Sequence, residues 1–315
     1  MSKDQINKRL KELLGISDQE YEKLVAAYEK EVIKLSGESL RKIKIEIAKI
    51  YEKFGDNVQY SDLVSYNRLK NLETSIIQIV KDLTNEQIKN TKLKLSYFYS
   101  ESFDLTSFAV EKSIEVNLAF GMLDESVIRS AHLNELSKIK WSDSLKEHAQ
   151  KYVNDIRTEL TRGFIEGKGY GAITKAITEK TGINANKVLR IVRTEGHRVQ
   201  NAAKILSFEN TEAAAERLGL KTNRVWLATL DNRTRDSHQT MDGQIADENN
   251  LFHYPGGETT EAPGISGPAE EVINCRCTFI TQFSEFPQQL RKDNITKQFI
   301  PNQTYKQWKE GKDLV

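Results

Sequence analysis

Proline is missing from the first 254 residues; all five prolines lie at or beyond Pro255. A proline inside a helix removes a hydrogen-bond donor and clashes with the preceding turn. A long stretch without it, rich in Lys, Glu, Leu and Ile, is therefore free to form long helices. Cysteine is scarcer still: there are 2, Cys275 and Cys277, both in "NCRCTF". A pair one residue apart makes no disulfide framework of the kind that staples small secreted domains. Long apolar runs are lacking as well, and none approaches the ~20 residues that a membrane-spanning helix needs. The opening "MSKDQINKRLKELLGI" has neither the apolar core nor the cleavage site of a secretory signal. The expectation is a soluble chain of the cytosol with no membrane anchor. Charge of one sign is lacking too: 46 basic against 45 acidic residues leave +1. That balance gives no global pull towards nucleic acid, so any DNA contact must come from a local patch. No Walker loop, dinucleotide fingerprint, H-E-x-x-H or G-x-S-x-G occurs.

What is present is helical periodicity. Val25, Tyr28, Val32 and Leu35 step by 3, 4, 3, and Ile43, Ile47, Ile50 and Phe54 by 4, 3, 4. Leu69, Leu72, Ile76, Ile79 and Leu83 step by 3, 4, 3, 4. Each set draws an apolar stripe along one helix face. Ser17 with Glu20, Thr84 with Gln87, and Ser144 with Glu147 have capping-box spacing and predict helix starts. Basic residues such as Arg41, Lys42, Lys44, Lys49 and Lys53, or Lys89, Lys92 and Lys94, alternate with acidic ones, which is the pattern of a solvated face. The glycine-rich "RGFIEGKGYGAI" (162–173) marks a break. A short helix "AITKAITEKTG" and a longer one through "NKVLRIVRTEGHRVQNAAKILSFEN" follow it. Beyond residue 222 the texture changes. "RVWLATL" and "CRCTFITQF" read as strands, the second alternating Cys275, Cys277, Phe279 and Thr281 on one side. The Gly/Pro-rich stretch between them reads as a long excursion. The fold class expected is mainly α with a small C-terminal α+β module. A helical arm or bundle covers 1–140, a helical region 141–222, the α+β module with a short antiparallel sheet 223–285, and a polar tail 286–315.

Chemistry concentrates in "TLDNRTRDSHQTMDGQ" (229–244) and in the C-R-C stretch. Glu195 stands on the apolar stripe of its helix with Val188, Val192 and Val199, where a carboxylate needs a donor. Arg193 lies about 200° around that helix, so the donor is expected from elsewhere in the chain. Arg235 and Arg276 fit that role, giving a structural network of Glu195, Arg193, Asp231, Arg235 and Arg276. For the cysteines two readings stand side by side. One is a pair of small buried thiols on the inner face of a strand, with His238 bonding a turn. The other is a Cys₂His₂ zinc site made by His238, His253, Cys275 and Cys277. If the chain were an enzyme, His238 as base with Arg235 and Arg276 on phosphate would make a nuclease. Turn chemistry explains the same residues without catalysis.

Taken in order, "RIVRTEGHRVQNAA", "VWLATLDNRTRDSHQTMDGQ" and "NCRCTF" resemble the Mu F-like minor head proteins of tailed bacteriophages. The matching positions are Arg193-Thr194-Glu195, Trp226, Asp231, Thr234, Arg235, His238, Gly243, Phe252, Pro268 and Asn274-Cys275-Arg276-Cys277, across roughly 160–283. The resemblance implies a structural protein of the virion, inside the head near the portal, made and assembled in the host cytoplasm. It implies roles in head assembly, DNA packaging or delivery, with portal, scaffold or major capsid protein as partners and duplex DNA as a further contact. The sequence leaves open which residues would touch DNA. One departure bears on zinc: where the family often has a proline pair and a histidine before N-C-R-C, this chain has "GPAEEVINCRC". His253 would have to stand in as the fourth ligand.

Overall fold

The structure, a computed structural model, describes residues 3–55, 58, 60–65, 67–115, 120, 123–133, 140–217, 221–283 and 290–312. Helices dominate: α1 (Lys3–Phe54), α2 (Tyr60–Ser65), α3 (Arg68–Ile114), α4 (Glu125–Leu133), α5 (Trp141–Ile165) and α6 (Tyr170–Arg217). After them come β1 (Thr222–Leu227), α7 (Asp236–Thr240), β2 (Phe252–His253), β3 (Thr259–Thr260), α8 (Ala269–Val272), β4 (Thr278–Phe283), β5 (Leu290–Lys292), β6 (Phe299–Pro301) and α9 (Tyr305–Lys312). The chain is thus mainly α with a small C-terminal α+β part, as the proline distribution and periodicity predict.

The helices are longer than their punctuation suggests. Ser17 and Thr84 start nothing: each lies inside a helix and returns its hydroxyl to a carbonyl one turn back, Leu13 and Val80 respectively. A serine or threonine that bonds its own helix in this way is satisfied without capping. Ser144 likewise falls inside α5, whose N-cap is Lys140. The break at 162–173 is real, since α5 ends at Ile165 and α6 begins at Tyr170. By contrast, the two helices expected after it are one: α6 runs unbroken through Gly182. A single glycine costs only ~1 kcal/mol in a helix, too little to stop one buried along most of its length.

Contacts divide the chain into two compact units. One comprises Met1–Val25, Leu95–Leu136 and Arg193–Val315; the other comprises Ala26–Lys94 and Ser137–Val192. Helices α1, α3 and α6 lend residues to both. The second unit is all helical. Its core gathers Ile43, Ile47 and Ile76 from the stripes of the sequence, together with Val80, Ile156, Leu160, Phe164 and Ile177. Buried hydroxyls in it are paired with one another: Tyr28 with Thr91 at 2.7 Å and Tyr152 with Thr181 at 2.6 Å. At Gly163 helices α5 and α6 meet so closely that a Cβ would stand 2.5 Å from Ile173 Cγ1.

The first unit holds the strands. β1 and β4 pair antiparallel with Trp226 opposite Phe279, β2 pairs with β3, and β5 with β6. Trp226, Phe252, Phe279 and Phe208 pack edge to face around the centre of this core. At ~25 cal/mol per Å², an indole that removes 150–250 Å² from water contributes on the order of 4–6 kcal/mol. The burial alternation expected through Cys275, Cys277 and Phe279 is present, although the two cysteines stand ahead of β4 rather than in it. The Gly/Pro-rich excursion carries the β2–β3 hairpin and α8. The polar tail docks on its own unit: Tyr305 and Trp308 cluster with Leu230, and Tyr305 Oη donates to Asp231 O.

Candidate functional site

The run 229–244 is a folded turn system whose polar side chains point mostly inward. Asp231 accepts both guanidinium nitrogens of Arg276, the Arg233 N–H at 2.9 Å and the Thr234 hydroxyl at 3.3 Å. Burial alone would raise this carboxyl, but the bonds and charge of Arg276, helped by Arg233, outweigh it and hold the group below the usual carboxylate range. Arg276 rises in return. Asp242, with a side chain only 1% exposed, is held by Arg291 Nη1 and Nη2, both at 2.6 Å, and accepts the backbone N–H groups of Ala228 and Tyr305. Gly243, at φ +80°, carries the chain back so that its N–H reaches Trp226 O at 2.9 Å. That backbone region favours glycine.

Glu195 and Arg198 correct one expectation. The carboxylate is buried, but its donor is Arg198 Nε at 2.8 Å, three residues on along the same helix. Arg235 instead bonds Ile273 O, Arg276 bonds Asp231, and Arg193 is exposed. Positions i and i+3 share a helix face, so a local partner was available that the angular argument about Arg193 passed over. The helix is attached to the C-R-C segment by other groups. Thr194 Oγ1 accepts the Asn274 N–H at 3.1 Å, and His197 bonds the Cys277 backbone. Asn201 Nδ2 donates to Pro263 O at 2.7 Å, and Lys204 Nζ donates to Thr278 Oγ1 at 2.8 Å. Thr194, His197, Asn201 and Lys204 step by 3, 4, 3 and form a polar stripe read by the module. The stripe explains two turn positions. Asn274 sits at φ +55°, where Asn is tolerated, and a Cβ on Gly264 would come within 3.1 Å of His197 Cδ2. Desolvation, with Lys204 close by, pulls the His197 imidazole down to about 4. The ring is therefore neutral, and Nε2, 3.0 Å from Asn201 Nδ2, accepts.

The histidine–cysteine group comes together in part. His238 Nδ1 lies 3.3 Å from Cys277 Sγ and 3.7 Å from Cys275 Sγ, and all three residues are buried. Backbone N–H groups also point at the sulfurs, from Thr229 to Cys277 and from Cys277 to Cys275. Burial resists ionisation of Cys277, but the bonds from Cys275 and His238 prevail and bring it well below an ordinary thiol; Cys275, its donor, moves up. On the far side of the ring, His238 Nε2 is 2.9 Å from Glu271 Oε2, at ion-pair distance though off the line of the N–H. Ser237 Oγ holds the same carboxylate oxygen at 2.8 Å. His253 is elsewhere: exposed, and bonded to Asp247 Oδ2 at 2.9 Å. The four-residue zinc set is thereby corrected to three. His253 belongs to the β2–β3 hairpin, whose register turns its side chain outward while Phe252 goes in.

As catalytic candidates the same residues fare differently. His238 is 1% exposed beneath Trp226 and Tyr254. Arg235 and Arg276 are both engaged within the turn system. A base so covered reaches a phosphodiester only if the module opens. Residues the sequence reading missed are Arg198, His197, Glu271 and Arg291. Glu271 and Arg291 are separated in sequence from the groups they serve, and no spacing flags them. His197 lies on the same face as Thr194, and that spacing was the available signal.

Residues 154–280 match the family described as phage Mu protein F like protein. They are Mu F-like. The match covers the second half of α5, all of α6 and the module through the first half of β4, so the polar stripe and the cysteine–histidine group both lie in the matched region. The chain is 28% identical over 303 residues to Minor head protein GP7 of Bacillus phage SPP1, covering 94% of this chain and 96% of that protein. It is 26% identical over 307 residues to NAD(+)--arginine ADP-ribosyltransferase EFV of Enterococcus faecalis, covering 96% of this chain but only 60% of that longer protein. A third, uncharacterized relative from Haemophilus influenzae matches 53% of this chain, and the chain spans 33% of its length. No solved structure matches the chain.

Proposed function

We propose that this chain is a non-enzymatic minor head protein of a tailed phage. In this reading it is carried inside the head near the portal, and acts in head assembly or in DNA packaging and delivery. The observation that carries the reading is the match to the SPP1 minor head protein, which spans both chains nearly end to end. The site's chemistry agrees with it. Asp231, Asp242 and Glu195 all spend their charge on internal arginines, which is the work of holding a module together. Portal, scaffold or major capsid protein are the partners in this reading, the virion is the destination and the host cytoplasm the place of assembly. Duplex DNA is a contact without an assigned surface.

The test is to purify assembled heads from cells expressing the phage head proteins with this chain, and to identify their contents by mass spectrometry. The chain should appear in portal-bearing heads at low copy; heads that never contain it overturn the reading. The same protein, mixed with linear duplex DNA in Mg²⁺, Zn²⁺ or chelator, should leave the DNA intact. Retardation that added salt releases supports DNA contact. Cleavage abolished by His238→Ala replaces this reading with a nuclease.

A second, enzymatic reading has one observation behind it, the ADP-ribosyltransferase name of the Enterococcus protein. This chain spans 60% of that protein, so the named activity applies here only if the shared part carries it. Incubation with labelled NAD⁺ and an arginine-containing acceptor decides it: transfer of label favours the enzyme.

A further inference from the structure

The cysteine–histidine group is built as the inside of a metal site. We propose that His238 Nδ1, Cys275 Sγ and Cys277 Sγ are three ligands of one zinc ion, with Glu271 orienting the imidazole from behind. Around a tetrahedral zinc, bonds of about 2.3 Å to sulfur and 2.0–2.1 Å to nitrogen set ligand–ligand separations of roughly 3.6–3.8 Å. The two nitrogen–sulfur distances here are 3.3 and 3.7 Å, and all three ligand atoms lie within 4.8 Å of one another. Both sulfurs converge on the same ring nitrogen. A single N–H serves one acceptor well, so a shared cation at the centre accounts for that convergence better than a hydrogen bond does.

The surroundings support the same assignment. A ligating histidine usually gives its other N–H to a carboxylate, which fixes the tautomer and strengthens the ligand. Glu271 Oε2 lies 2.9 Å from Nε2, off the line of its N–H as the ring stands but within reach of a small ring rotation, and is itself held by Ser237. A proton on Nε2 leaves the Nδ1 lone pair facing the sulfurs. Backbone N–H groups of Thr229 and Cys277 point at the two sulfurs, as suits thiolates. Trp226 and Tyr254 pack against the imidazole, which is 1% exposed. Among the described residues no fourth His, Cys, Asp or Glu joins the group, so the proposal is for three protein ligands of these types. The ion would link the turn after β1 to the segment entering β4, and its binding energy would become folding energy for strands too short to hold alone.

The test uses the full chain, expressed with zinc and purified without chelator. Metal analysis should return close to one zinc per chain. Exchange with Co²⁺ should give tetrahedral d–d bands and thiolate-to-cobalt charge transfer. His253→Ala should keep the metal, Cys277→Ser should lose the charge-transfer intensity of one sulfur, and Glu271→Gln should weaken binding about 10- to 100-fold. A wild-type chain that is folded by circular dichroism yet binds neither Zn²⁺ nor Co²⁺ overturns the proposal. So does metal that departs with His253→Ala and stays with His238→Ala. The wild-type spectrum keeps the test decisive even where a variant fails to fold.

Discussion

Glu195 and Arg198 put two opposite charges on one buried helix face, 4% and 3% exposed. Removing one partner from such a pair leaves the other charge desolvated, and that costs several kcal/mol; replacing both with apolar groups often costs little. Glu195→Ala should therefore lower the unfolding free energy by about 3 kcal/mol. Glu195→Leu combined with Arg198→Met should recover most of that loss. Urea denaturation of the three variants checks it, and an unchanged midpoint for Glu195→Ala would remove the pair from the account. Lys11 poses the opposite case. It is buried, its Nζ has no hydrogen-bond partner among the described residues, and burial lowers its pKa to about 7. Because the unfolded chain holds that proton up to about pH 10.5, it binds more protons than the folded chain between about 7 and 10.5. Stability should then rise with pH through that window. Lys11→Met should stabilise the protein at pH 7 by on the order of 2 kcal/mol, with the gain shrinking towards pH 10. Melting temperatures of both proteins across pH 7–10 are the measurement.

At the level of elements, the C-terminal tail is tied down at one point more than at any other. Arg291, in β5, donates to Asp242, Ala228 O and Gln303 O. One guanidinium thus joins the turn after α7, the end of β1 and the approach to α9. Arg291→Leu should free β5, β6 and α9 together. Limited proteolysis should then cut within residues 290–312 while the rest of the chain resists, and Leu230 should lose its cover of Tyr305 and Trp308. Equal resistance in mutant and wild type would mean that the aromatic contacts suffice. The polar stripe on α6 is a second device of this kind, and it was half visible in sequence. The R-T-E block pointed to the right helix, but its threonine does what the glutamate was expected to do. A hydroxyl bond to a turn N–H leaves no mark in composition, whereas a carboxylate on an apolar seam attracts notice.

Across the whole chain, what could be read in the sequence was whatever repeats or is rare. Periodic apolar residues gave the helices and their buried faces, and the absence of proline gave their length. The unusual crowding at 229–244 and the two cysteines led to the module. What stayed hidden depends on long-range closure. Asp18 meets Lys204, and Tyr21 meets the Gly196 carbonyl, 175 residues away. Such pairs have no spacing rule, so a linear division into arm, helical region, module and tail gives no hint that a unit draws on three separate stretches of chain. The same distance explains the loss of His253 from the zinc set. Spacing alone does not fix how a Gly/Pro-rich excursion returns, and β2–β3 returns His253 facing outward.

That the first unit is assembled from residues 1–25, 95–136 and 193–315 also has a meaning in time. At ~5–20 residues per second of synthesis, the opening turns of α1 leave the ribosome many seconds before α6, against which Asp18 and Tyr21 close. Ala26–Lys94 and Ser137–Val192 are complete earlier, so the all-helical unit is able to close while the module is still being made. Until then Leu10 and Leu14 lack Phe208 and the module's share of their core cluster, and Tyr21 lacks the Gly196 carbonyl. A folding helper would have its longest opportunity to bind there.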